Sequence, residues 1–227
     1  AQSDDNSDVR QAAVQELARG WKDDPRTLPW LKQLAQSDDD SAGRYAAVKE
    51  LAGGWKDDPE TLPILQQRAQ SDDDSAVRQA AVKELAGGWK DDPETLPILK
   101  QRAQSDDNSA VRQAAVQELA RGWKDDPEIL PILKQQAQSD DHWVVRYAAV
   151  QELARGWKDD PETVPWLKQQ AQSDDNWDVR LAALEVMIEL YPDRPQTLEL
   201  VRDRSQNDRD QKLREFAQKE LTKLERQ

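Results

Sequence analysis

One phrase recurs along this chain at a fixed interval. AQSDD opens at Ala1, Ala35, Ala69, Ala103, Ala137 and Ala171, a step of 34 residues, and a worn copy begins at Ser205. A unit that short cannot bury its own apolar side, so copies must stack and share one continuous core. The 227 residues therefore read as a single repeat domain, 1-227. The regular copies are 1-34, 35-68, 69-102, 103-136 and 137-170, and 171-204 with 205-227 form a divergent C-terminal cap.

Two helix starts can be read inside each copy. In the third, Asp92 can cap, Pro93 suits a first turn and Glu94 favours the positive end of the helix dipole; Leu96, Leu99 and Ala103 follow at helical spacing. Pro97 comes soon after Pro93, so this helix is expected to bend or to open with a tight turn. The next helix is expected to begin at the capping cluster Ser105 to Asp107 and to run through Val111, Ala114, Ala115 and Leu119. Gly122 reads as its terminator, with Trp123 folding back on the last turn. Each copy is thus a helical hairpin.

An Asp, an Arg and a following Ala-Ala keep one spacing throughout: Asp4/Arg10, Asp38/Arg44, Asp72/Arg78, Asp106/Arg112, Asp140/Arg146, Asp174/Arg180 and, without the alanines, Asp208/Arg214. This pattern resembles the second helix of a HEAT repeat, particularly the short HEAT-like type named after phycobilisome lyases, over essentially the whole chain. The resemblance implies an all-α fold, a right-handed α-solenoid of about 13 helices, with the Asp and Arg residues forming a ladder between inter-helix turns. A partly shielded Arg–carboxylate bond is worth about 1.5–3 kcal/mol, against roughly 0–1 when exposed. The same step fits tetratricopeptide repeats, but GWKDDP does not supply their spaced Trp, Gly, Tyr, Ala, Phe and Pro pattern. Gly43 stands where other copies have Val. Losing a buried side chain costs about 2 kcal/mol or more and a helical Gly roughly 1 more, so a soft spot is expected there.

Placing the second helix on a 100° wheel buries Val111, Ala115 and Leu119, with Glu118 at the border. Ser109, Ala110, Gln113, Gln117 and Arg121 then form the outward stripe, and these columns are the ones that vary. In HEAT-like arrays this helix generally lines the concave surface, so the stripe would align from copy to copy. Tyr45 and Lys49, Gln79 and Lys83, and Gln113, Gln117 and Arg121 are its candidate contacts in the second to fourth copies. The fifth copy places His142, Trp143, Val144, Tyr147, Gln151 and Arg155 there, and the sixth Trp177, Asp178 and Leu181. Free drift accounts for the Gln, Lys, Ser and Ala differences as well as selection does. Large outward aromatics in adjacent copies mark an interface, or else packing against the irregular end. Trp21, Trp55, Trp89, Trp123 and Trp157, with Tyr191, are expected to be core or loop anchors; Trp30 and Trp166 share a packing column with Ile64, Ile98 and Ile132.

A net charge of -13 argues against a nucleic-acid backbone or an anionic membrane as partner. No apolar run reaches bilayer length, and zero cysteines exclude disulfides and thiolate chemistry and fit a cytoplasmic setting. Paired aspartates sit before helices without the glycine and distal glutamate of a calcium loop, and His142 has no second histidine for a zinc site. The lone histidine also cannot build the His–Glu metal array of HEAT-like hydroxylases, and the acidic balance disfavours a HEAT-like DNA glycosylase. No GxSxG, P-loop or GxGxxG motif occurs. The expectation is a non-enzyme without cofactor or metal, a monomeric array that recognises a protein or peptide. The opening half-hairpin reads as a piece of a longer chain. The near-identical copies resemble sensor arrays of bacterial NACHT-type (STAND) signalling ATPases; a phycobilin lyase-like module handling a tetrapyrrole, or an engineered consensus scaffold, are the alternatives.

Overall fold

A computed structural model describes residues 6–225; Asp4, the first carboxylate of the expected ladder, lies outside the described residues. Among the described residues the chain forms 13 helices and no strand: α1 (Ser7–Gly20), α2 (Thr27–Ser37), α3 (Ser41–Gly54), α4 (Thr61–Ser71), α5 (Ser75–Gly88), α6 (Thr95–Ser105), α7 (Ser109–Gly122), α8 (Ile129–Ser139), α9 (Trp143–Gly156), α10 (Thr163–Ser173), α11 (Trp177–Leu190), α12 (Pro195–Asn207) and α13 (Gln211–Leu224). They fall into two compact units, Ala1–Gly122 and Trp123–Gln227. The first holds α1 and the hairpins α2–α3, α4–α5 and α6–α7; the second holds α8–α9, α10–α11 and α12–α13.

Among α1, α3, α5 and α7, and between α9 and α11, the longer helices pack side by side more closely than the shorter even-numbered ones do. Side-chain size explains the difference. Ala80 with Ala81, Ala114 with Ala115 and Ala182 with Ala183 are buried and let neighbouring long helices approach. The shorter helices bury Ile98 and Leu99, or Ile132 and Leu133, which hold their neighbours further off. Val111, Ala115 and Leu119 are fully buried as the wheel requires, but so are Val116 and, nearly, Ala114 and Ala120. A long helix flanked on both sides keeps only a narrow outward stripe.

The helix starts differ from the sequence reading. Asp92 does not cap α6: its Oδ1 accepts the Glu94 N–H at 3.1 Å, inside a turn in which Asp92 N–H donates to Trp89 O and Thr95 N–H to Asp92 O, both at 3.1 Å. Pro93 belongs to that turn, so α6 begins two residues later, and Pro97 falls in its first turn, where no backbone donor is needed. The buried hydroxyls of Thr27, Thr61, Thr163 and Thr197 brace equivalent turns by donating to the carbonyls of Trp21, Trp55, Trp157 and Tyr191 at 2.6 to 2.8 Å. Likewise α7 starts at Ser109, not in the Ser105 to Asp107 cluster. Its cap is Asn108, whose Oδ1 accepts the Ala110 N–H at 2.9 Å.

Gly122 is not a left-handed terminator, because no glycine among the described residues has positive φ. A Cβ would fit at Gly54, Gly88 and Gly122 at ordinary contact distance, so packing does not demand glycine there. A Cβ at Gly88 would lie 3.9 Å from Lys56 Cε, and Lys56 Nζ rests 5.7 Å from the centre of the Trp89 ring. Lys22 caps Trp55 in the same way at 5.8 Å. These tryptophans are turn anchors rather than core: Trp21 is exposed and Trp55, Trp89, Trp123 and Trp157 are half-buried. Only Tyr191 is buried, its hydroxyl donating to Lys158 O at 2.7 Å.

The Asp–Arg ladder exists within each unit, and its rungs reach one copy ahead. Arg78 Nε and Nη2 donate to the two carboxylate oxygens of Asp106 at 2.9 and 2.8 Å, while its Nη1 donates to Asp72 O at 2.9 Å. Arg44 grips Asp72, Arg146 grips Asp174 and Arg180 grips Asp208 with the same bidentate geometry. Asp106 also accepts the Asn108 N–H at 2.9 Å and an Arg102 bond at 3.2 Å. Burial pushes the Asp106 carboxyl up, but the Arg78 guanidinium and the Asn108 N–H together hold it below the ordinary carboxylate range. Asp72 and Asp208 are lowered against the same burial by Arg44 and Arg180 with their own backbone donors.

At the first rung the sequence changes and so does the pairing. Arg10 Nε pairs with Asp40, the cap of α3, and the Asp38 carboxylate turns into the space that Val fills in other copies. The soft spot is therefore filled by a carboxylate, and a Cβ at Gly43 would collide with Asp38 Oδ2.

Three outcomes follow from this packing. Replacing Asp106 by Ala strands a buried guanidinium and lowers the unfolding free energy by about 3–5 kcal/mol, read by urea titration. Because Asp72, Asp106 and Asp208 are depressed, their contribution is present above the unfolded value near 4 and is lost as pH falls through the folded values. Burial raises Glu84 and Glu185, whose contribution runs oppositely and is lost as pH rises through their folded values. The urea midpoint thus peaks on the mildly acidic side of neutrality and drops below about pH 4. Gly43→Val raises Tm provided that Asp38 swings out towards Arg10, and Asp38→Asn removes part of that gain.

Candidate functional site

The variable stripe runs along the outer side of the long helices. In the second unit, α9 presents Trp143 and Tyr147 one turn apart, their rings edge to face with centres 6.4 Å apart. Gln151, a further turn along, donates from Nε2 to Tyr147 Oη at 2.9 Å, and Arg155 ends the row with its guanidinium 4.0 Å from Glu189 of α11. Trp143 is 38% exposed, and Tyr147, Val144 and Gln151 are half-buried. Along α9 the stripe thus passes from aromatic to polar side chains.

His142, read as a contact residue, also helps to start the helix. It occupies the cap column, and its Nδ1 accepts the Val144 N–H at 3.3 Å. Its ring stacks on Trp143 with centres 6.2 Å apart, and it is exposed. It therefore shapes the start of α9 and borders the patch at once.

On α11, Trp177 and Leu181 occupy the positions of Trp143 and Tyr147, and both are half-buried. Trp177 is covered by Lys212 of α13, whose Nζ lies 5.6 Å from the ring centre. It shares the work of packing the irregular end. Asp178 is an acid in the first turn of α11, where the dipole favours it.

In the first unit the stripe is polar. Lys49 of α3 lies over the Tyr45 ring at 5.9 Å, and Gln79 of α5 donates from Nε2 to Ala110 O at 3.0 Å, tying α5 to α7. Lys83 and Arg121 are exposed, Gln113 and Gln117 half-buried. Two features escape sequence reasoning. A cleft of about 850 Å³ opens between the turns that precede α10 and α12, bordered by Lys158, Asp160, Lys168, Tyr191 and Arg194. Its only sequence signal is the change from GWKDD to LYPDR. The second is a smaller recess beside Gly53, considered below. No group of three or more potential metal ligands is assembled among the described residues.

Stacked helical hairpins, with a recurrent Asp–Arg link and a variable outer stripe, place the protein among the α-solenoids. The family model for HEAT repeats matches residues 1–86, 38–120, 70–154 and 130–222, and the chain belongs to the HEAT repeat family. The solved structure of YibA from Escherichia coli is similar in fold, with 21% identity, a TM-score of 0.58 and coverage of 95% of this chain and 74% of that one. The complex of CpcE and CpcF of phycocyanin lyase from Nostoc sp. PCC7120 is similar too, at 23% identity and a TM-score of 0.53, over 72% of this chain and 99% of that one. At these identities the likeness is one of fold. No curated protein gives a significant match.

The cap role of His142 is open to direct measurement. His142→Asn keeps an acceptor of better geometry and raises stability by a few tenths up to about 1 kcal/mol in thermal unfolding, whereas His142→Ala lowers it by a similar amount.

Proposed function

We propose that this chain is a non-catalytic recognition scaffold that binds a protein or peptide on the outer stripe of its long helices, with Trp143 and Tyr147 at the centre of the contact in the second unit. The observation that carries this reading is Trp143. Four sibling copies place Ser in its column, at Ser7, Ser41, Ser75 and Ser109, and form the same helix, so the hairpin does not require the indole. It nevertheless stays exposed beside Tyr147, and Trp and Tyr are the side chains on which binding energy concentrates. The net charge of -13 favours a basic or neutral partner over nucleic acid or an anionic membrane, and no described helix is long and apolar enough to cross a membrane.

The more specific form of this reading is a cytoplasmic ligand-sensing array within a larger signalling protein of the NACHT kind. What supports it is the near-identity of the copies, and a GxxxxGK[ST] motif elsewhere in the parent chain would add to it. The tetrapyrrole alternative draws on the shared fold with the phycocyanin lyase complex. Absorbance after mixing with a bilin separates it, since a red-shifted, sharpened band would favour that role.

A peptide selected from a random display library on the full chain provides the test. Trp143→Ala weakens its binding by about 2 kcal/mol in titration calorimetry with the fold intact, while Trp177→Ala costs stability as well as affinity. Selected peptides that bind the Trp143→Ala protein unchanged would rule this stripe out as the contact.

A further inference from the structure

Gly53 and Glu84 sit at a gap in a second, outer series of charge pairs in the first unit. Arg19 of α1 reaches across to Glu50 of α3, with Nη2 3.4 Å from Oε1. One copy on, the same two columns hold Gly53 on α3 and Glu84 on α5. The glycine supplies no cation, and the Glu84 carboxylate makes no hydrogen bond and no ion pair with any described residue.

Nothing else has filled the space. A Cβ added at Gly53 would meet no atom within 4 Å. The opening is a recess of about 480 Å³ bordered by Arg19, Lys49, Glu50, Gly53, Trp55 and Glu84. Three cations stand at its edge, and each has another partner: Arg19 is held by Glu50, Lys22 lies over the Trp55 ring and Lys49 over the Tyr45 ring. The Lys49 charge favours the Glu84 carboxylate, yet burial outweighs it and pushes the Glu84 carboxyl above its ordinary value. A half-buried carboxylate without a donor is disfavoured, and a cation arriving from outside relieves it.

We propose that the recess between Gly53 and Glu84 is a subsite for an arginine side chain of a bound basic segment, whose guanidinium takes the place that Arg19 takes against Glu50 one copy earlier. The shape of the gap is the absence of an arginine side chain from its own column. A planar guanidinium matches a carboxylate in two-point contact, which a lysine ammonium cannot do. The subsite lies in the first unit, so it stands whether or not the aromatic stripe of α9 binds anything.

The full chain, labelled with nitrogen-15, is titrated with N-acetylarginine methylamide at millimolar concentration, and with the uncharged citrulline derivative as control. The amides of Gly53, Gly54 and Glu84 shift with the arginine compound and not with citrulline, and Glu84→Gln weakens binding about tenfold or more. Gly53→Arg fills the subsite from within and abolishes the shifts. A thermal readout needs no ligand: Gly53→Arg raises Tm above Gly53→Ala, and the difference vanishes when Glu84→Gln is added. Equal responses to arginine and citrulline, shifts that survive Gly53→Arg, or a Tm gain independent of Glu84 would each overturn the proposal.

Discussion

A carboxylate taken out of water survives as an anion only if donors replace the water, and in this protein the replacement comes from the neighbouring copy. Asp106 is almost wholly buried, with two bonds from Arg78, one from Arg102 and one from the Asn108 amide. The same Arg78 holds the Asp72 carbonyl of its own turn. Arg44, Arg78, Arg146 and Arg180 each fasten two successive inter-helix turns in this way, and the copies they join cannot slide past each other without stranding a charge. Apolar burial alone would tolerate slippage in an array whose cores are nearly identical. The bidentate pair fixes the register.

That division of labour frees the outer columns. Ala-Ala pairs, Leu and Val set the spacing of the long helices, the Asp–Arg link sets their order, and the Thr hydroxyls close the connecting turns. None of these interactions uses the outer face. Ser109 and Trp143 therefore occupy the same column of the same helix without altering its length. Columns can be exchanged one at a time on a rigid backbone, and a ligand meets groups that lose little freedom on binding.

The repeat step, the hairpin and the buried positions of the long helix were legible because each rests on spacing along one copy. Errors arose wherever the partner belongs to another copy or another column. Asp92 looks like a cap because Asp-Pro-Glu is a helix-start pattern, yet its carboxylate is spent inside a preceding turn. Asp106 and Asp107 look like caps of α7, but the first is claimed by Arg78 and the second pairs with Arg78 from the solvent side, leaving Asn108 to cap. Gly122 and its equivalents look like terminators, yet none of the described glycines has positive φ, and a Cβ at Gly54, Gly88 or Gly122 would meet the lysine of the preceding copy only at ordinary contact distance. At the candidate site, the outward direction of Trp143 was legible from the wheel. The cover of Trp177 by Lys212 was not, because it depends on how the last, divergent copy seats.

The same logic gives meaning to a missing side chain. In a unique fold a glycine on a helix near its end carries little information, but in a repeat the siblings say what the column normally does. Arg19 and Glu50 show that this pair of columns can close across neighbouring helices, so Gly53 opposite Glu84 is a position where the array leaves a carboxylate open on a backbone able to accommodate its partner. Trp143 is the complementary case, a side chain added where the siblings need none. Both departures lie on the outer face, one withholding a cation and the other supplying an aromatic surface. Because the long helix forms with the same length in either copy, its formation gives no reason for the difference, and what remains is the chemistry of whatever lies against that face.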